Sequence, residues 1–198
     1  MAASPKLAPS RMTIEEFLDW PGDGGAHKFQ LIDGDPVAMA PASVTHGIVQ
    51  ANLVRLLGNH LTGTGCYVVV EPGIIPRIRS EANFRIPDVA VSCERDDHGL
   101  RALAEARLIV EILSPSNEAE TRESVWAYAT LPSVREILLV RSTRVAAELL
   151  RRQGDATWPA NSEILGPDTI LRLDSIEFSC PLAALFEGTH LARAAGGP

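Results

Sequence analysis

Two carboxylates interrupt strings that are otherwise apolar. Asp88 stands in Pro-Asp-Val-Ala-Val at 87–91, and Glu111 in Val-Glu-Ile-Leu-Ser-Pro-Ser at 110–116. An acidic side chain in such surroundings is costly to bury unless it is paired or holds a metal ion. A hard divalent cation takes oxygen ligands, often one or two carboxylates completed by waters and phosphate oxygens. Two carboxylates on adjacent strands can supply such a site, and a cation there would polarise a phosphate and acidify a bound water. The same two residues also read as strand-end side chains that meet solvent or a loop. Glu71 closes the apolar run Cys-Tyr-Val-Val-Val at 66–70 and is a third candidate ligand; otherwise it is a solvated strand end. His46 opens a helical segment, either as a site residue or as an ordinary first-turn residue.

Other polar groups have simpler readings. Asp33 and Asp35 flank Gly34 in a turn, and turn chemistry accounts for both. Ser114 and Ser116 flank Pro115 as a turn and cap before a helix, and no GxSxG elbow is present. His27, His60, His98 and His190 are scattered without metal-ligand spacing, and no GxxxxGK[ST] phosphate loop occurs. Trp126 and Tyr128 read as packing residues.

The elements that must position these groups follow from periodicity and turn residues. Residues 1–12 read as a flexible tail, 13–190 as one domain, and 191–198 as a second tail. Thr13 and Glu16 have capping-box spacing at the head of a short helix. Segments 28–32 and 36–40 form a hairpin around 33–35. Val49, Leu53, Leu57 and Leu61 mark a helix over about 46–61, with Ser43 as its cap. Strands are expected at 66–71, from Asp88 to 93, at 106–114 and at 134–141, and IIPRI at 74–78 is a further candidate. The segment 117–131 is helical, with Asn117 at its start and Pro132 beyond its end. Segment 144–152 is read as a strand; shorter strands near 156–158, 162–165 and 169–172 and a terminal helix at 181–188 complete the chain. The result is an α/β fold of α+β type, a mixed sheet flanked by helices.

Composition sets outer bounds. The 198 residues carry a net charge of −7, so long-range attraction to nucleic acid is not the default. No stretch reaches the roughly 18 apolar residues of a membrane span, so no membrane partner is expected. Cys66, Cys93 and Cys180 are odd in number and far apart, which argues against a disulfide or zinc framework and for a reducing cytoplasm. The apolar string at 134–141, taken as an edge, suggests a homodimer. Of the 18 basic residues only Lys6 and Lys28 are lysines.

The strings KFQLIDGDPVAMAPASVTHGIVQANLVRLL, RIPDVAV and VEILSPSNEAETRESVWAYATLPSVREILLV, spanning about 13–142, resemble the Uma2 family of the PD-(D/E)XK nuclease superfamily. The resemblance implies a restriction endonuclease-like core and hydrolysis of DNA phosphodiester bonds with Mg²⁺ or Mn²⁺. It implies that Asp88 and Glu111 are the acidic metal ligands, that the Ile112 carbonyl adds a contact, and that His46 and Gln30 lie near the metal. Two departures accompany it. The superfamily's lysine two residues after the glutamate is Leu113, and the helix position to which Uma2 proteins move it is Ser124. Gln30 replaces the usual glutamate, keeping an oxygen but losing a charge. Lys28 could reach the site from the hairpin. Arg77, Arg79, Arg85 and Arg122 bracket the site in sequence and are the candidate DNA contacts. A catalytically degenerate binding module is the alternative outcome of these losses.

Overall fold

The computed structural model describes residues 11–25, 27–94, 99–115 and 118–195. Its centre is a six-stranded sheet in the order β3 (Tyr67–Val70), β4 (Val89–Ser92), β5 (Leu108–Leu113), β6 (Glu136–Arg141), β7 (Ala147–Arg151) and β8 (Glu163–Leu165). All neighbours are antiparallel except β5 and β6. A parallel pair cannot be closed by a tight turn, and the connection here carries helix α3 (Glu118–Ala129). The mixed sheet flanked by helices expected from the sequence is the architecture found.

Alternation along β5 divides the core. Leu108, Val110 and Ile112 point to one face and pack with Val49, Leu53 and Leu57 of helix α2 (Val44–Leu61). Ile109 and Leu113 point to the other face and pack with Val125 and Tyr128 of α3. Glu111 shares the parity of this second face. Helix α1 (Ile14–Asp19) opens with the complete Thr13–Glu16 capping box. The hairpin β1 (Phe29–Ile32) and β2 (Asp35–Ala38) pairs Ile32 with Asp35, leaving Asp33 and Gly34 as the two-residue turn. Both have positive φ, 51° and 89°, which is the type I′ geometry that matches strand twist. The hairpin is tied to the body by reciprocal bonds between Leu31 and Phe84, 2.8 and 3.0 Å.

Several expectations are corrected. The stretch 74–78 forms no strand; Ile74 makes an isolated bridge to Arg85. Gly73 explains the close approach there, since a Cβ would lie 2.1 Å from Phe84 Cζ. No strand forms at 156–158, while β9 (Ile170–Leu173) and β10 (Phe178–Pro181) pair as a separate hairpin. The stretch expected as a terminal α-helix is a 3₁₀ turn over Leu182–Phe186, and helix α4 (His190–Ala195) occupies part of the expected C-terminal tail. Met12, expected in the N-terminal tail, is buried with Phe17, Leu31 and Phe84. Lys6, His98, Ser116 and Asn117 lie outside the described residues.

Two corrections concern wider inferences. Strand β6 sits between β5 and β7, so the 134–141 string offers no free edge to a second copy. Cys66 and Cys93 form a disulfide, contrary to the sequence expectation. Pairing of Tyr67 with Ser92 in the β3–β4 ladder sets these cysteines opposite each other, a register that their separation of 27 positions conceals. Cysteine usage therefore no longer argues for a reducing compartment. Cys180 is free and half-buried, and burial pushes its thiol up to about 11.

Candidate metal and phosphate cleft

A cleft of about 770 Å³ opens at one end of the sheet, lined by residues of the first hairpin, the start of α2, the ends of β3–β5 and the first half of α3. Asp88, Glu111, Glu71, Gln30, His46 and Ser124 all line it, together with Lys28 and Glu120. The residues singled out as carboxylate ligands thus share one cavity despite wide separation in sequence.

Asp88 is the most firmly held. It precedes β4, and its Oδ2 accepts the Ile112 backbone N–H at 2.6 Å. Its Oδ1 accepts from His46 Nε2 at 2.9 Å. Ser43 caps α2 by accepting the His46 backbone N–H at 3.2 Å, so the ring is presented from the helix's first turn. The Asp88 carbonyl accepts from Gln50 Nε2 at 3.0 Å and from the Glu71 backbone N–H at 3.1 Å. His46 therefore faces Asp88 inside the cleft, and Ser43 is the helix cap.

Glu111 is buried next to Asp88, and its Oε1 accepts the Tyr128 hydroxyl at 2.7 Å. Burial, reinforced by the neighbouring Asp88 carboxylate, pushes its carboxyl well above the usual range. Burial and the adjacent Glu111 likewise raise the Tyr128 phenol. Two neighbouring carboxylates with little access to solvent resist joint ionisation unless a cation joins them. Among the described residues no three His, Cys, Asp or Glu side chains are grouped tightly enough to cage an ion alone. A cation on the Asp88–Glu111 pair would need main-chain, water or ligand oxygens to complete its shell. That fits Mg²⁺-like chemistry, in which few protein ligands are usual.

The neighbouring positions explain the sequence departures. Leu113 is buried against α3, so no cation enters from that point of β5. Ser124 accepts from Arg85 Nη1 at 3.2 Å and donates to the Glu120 carbonyl at 3.2 Å. Arg85 is 6% exposed, its Nη2 donates to Asn83 Oδ1 at 3.2 Å, and its Nε has no partner among the described residues. Desolvation lowers its pKa. Gln30 donates its amide to Glu120, which brings a carboxylate to the cleft that the sequence reading missed. Glu120 was detectable: it lies one helical turn before Ser124, on the same face of α3. Glu71 follows β3 with φ of 48°, and its carboxylate accepts from Lys28 Nζ. Left-handed backbone in a residue with a Cβ costs roughly 1–2 kcal/mol; the Asp88 carbonyl helps to hold it.

The four candidate DNA-binding arginines are not brought together, and none of them lines the cleft. Arg79 pairs with Asp33 at 2.6 Å, Arg85 is buried, and the Arg77 backbone N–H binds Thr130. Arg122 joins Arg141, Glu118 and Glu148 in a network with contacts of 2.8–3.1 Å. Tyr128 is the buried partner of Glu111, whereas Trp126, read as packing, is exposed.

Comparison with known proteins places these features in context. Residues 14–183 match the model of Uma2, described as "Putative restriction endonuclease". An uncharacterized Synechocystis protein, slr1290, is 34% identical over 160 residues, covering 80% of this chain and 83% of its own length. A second, sll1609, is 27% identical over 172 residues, covering 85% and 93%. A crystal structure from Anabaena variabilis, described as a putative nuclease belonging to DUF820, superposes with a TM-score of 0.71 at 17% identity, over 88% of this chain and 97% of that one. That likeness establishes a shared nuclease-like fold.

Proposed function

This chain belongs to the Uma2 family, and from that premise we propose that its cleft is a divalent-metal-dependent endonuclease centre that hydrolyses DNA phosphodiester bonds. The observation that carries the reading is the convergence of Asp88, just before β4, and Glu111, on the adjacent antiparallel β5, with Glu71 in one cleft. Their chemistry suits Mg²⁺ or Mn²⁺: oxygen donors, one of them a buried carboxyl whose ionisation is disfavoured by burial and by the Asp88 carboxylate. When bound, such a cation supplies an acidified water and polarises the phosphate.

The chain's own residues set the geometry. Ile112 N–H and His46 fix the two Asp88 oxygens, and Tyr128 fixes one Glu111 oxygen. Ile112 is the expected source of a carbonyl ligand, and Gln30 and Glu71 line the same cavity in support. Arg85 brings positive charge behind Ser124, the helix position at which the resemblance implies that Uma2 proteins carry a lysine.

The test is cleavage of supercoiled plasmid with Mg²⁺ or Mn²⁺. The wild type nicks or linearises the plasmid, and Asp88→Ala lowers the rate at least about a hundredfold, since the metal contributes several kcal/mol to the transition state. A pure, folded wild type that cleaves nothing with either ion contradicts the proposal and leaves a nuclease-fold binding module.

A further inference from the structure

The charge balance of the cleft singles out one more residue. Glu71, Asp88, Glu111 and Glu120 line it, against a single lysine and no arginine among the described lining residues. A phosphodiester approaching such a surface is repelled unless fixed cations meet it. We propose that Lys28 is the phosphate-binding residue of this cleft, a role that rests on the hydrolytic reading above.

Several features support the assignment. Lys28 precedes β1 and lies two residues before Gln30, on the same side of the strand, and both line the cavity. Its main chain is fixed, because its carbonyl accepts the Met39 N–H at 2.8 Å. Its ammonium donates to Glu71, whose backbone N–H is bonded to the Asp88 carbonyl at 3.1 Å. The cation is therefore placed relative to Asp88 through one intervening residue. An ammonium has three N–H donors. Among the described residues only Glu71 uses one, which leaves two for phosphate oxygens. The Lys28 side chain is 65% exposed and its partner 33%, so the head group stays within reach of a ligand. An exposed ion pair of this kind adds little stability, about 0–1 kcal/mol, so replacing it tests binding without unfolding the protein.

The experiment compares wild type, Lys28→Ala and Lys28→Arg for binding of a fluorescent DNA duplex, by anisotropy in Ca²⁺ over a range of salt, and for plasmid cleavage in Mg²⁺ or Mn²⁺. Lys28→Ala is expected to weaken binding roughly tenfold and to reduce the slope of log affinity against log salt by about one, the signature of one lost phosphate contact. Cleavage falls in parallel, the melting temperature holds, and Lys28→Arg recovers part of the binding. If Lys28→Ala binds and cleaves like wild type while Asp88→Ala is dead, the role of Lys28 is overturned and the nuclease reading stands. If the wild type neither binds nor cleaves DNA, both are overturned.

Discussion

In the proposed centre, the chemistry turns on Glu111. Its carboxyl is raised by burial and by Asp88, so folding without metal favours its protonated form. Stability from the neutral form is fully present below the usual value of 4.5 and is lost as pH rises through the raised native value. Thermal melts from about pH 4 to pH 8, without metal, are therefore expected to show wild type losing stability relative to Glu111→Gln. A difference independent of pH would mean that Glu111 is ionised in the metal-free fold. Asp88 and Glu111 were legible in the sequence because each is an anion in an otherwise apolar string and the resemblance to Uma2 proteins singled out both. Arg85 was not, since its inward turn depends on Ser124, 39 positions away, and on Asn83. Glu120 was missed although helical spacing placed it beside Ser124.

At the scale of elements, α3 has to be held on the sheet while presenting polar residues to the cleft. Its first half faces the site through Glu120, Thr121 and Ser124, so apolar packing is left to Val125 and Tyr128 further along. The ionic network makes up the difference: Arg122 and Glu118 of α3 meet Arg141 of β6 and Glu148 of β7. Hydrogen bonds from Arg122, with Arg141, hold the Glu148 carboxyl down at about 2. A depressed carboxyl contributes stability above its unfolded value, and that stability is lost as pH falls from about 4.5 toward 2. Glu148→Gln is expected to flatten this acid limb, with a loss on the order of 1–2 kcal/mol at neutral pH, discounted for the partly exposed Arg122. Acid titration of stability checks it, and an unchanged acid limb would remove the network from the account. The strands and long helices followed from periodicity and caps. The 74–78 segment did not form a strand, because Gly73 brings the chain against Phe84 and leaves a single bridge to Arg85. The Cys66–Cys93 bond depends on strand register, which spacing alone does not reveal.

For the whole molecule, a net charge of −7 sits uneasily with DNA as a substrate. The arginines do not resolve this, because none of the four proposed as a groove lines the cleft: Arg79 and Arg122 are held in separate ion pairs, Arg85 is buried, and Arg77 is exposed outside it. In the proposed centre the answer is local: a cation on the carboxylate pair, with Lys28 at its side, would meet the phosphate. The central claim is that Asp88 and Glu111 together bind a divalent cation. Calorimetric titration with Mn²⁺ near pH 6, in two buffers of different ionisation enthalpy, tests it most directly. The account predicts saturable one-site binding with proton release, because Glu111 must give up its proton, and loss of that binding in both Asp88→Asn and Glu111→Gln. Absence of binding to the wild type, or binding that survives both substitutions, would contradict it.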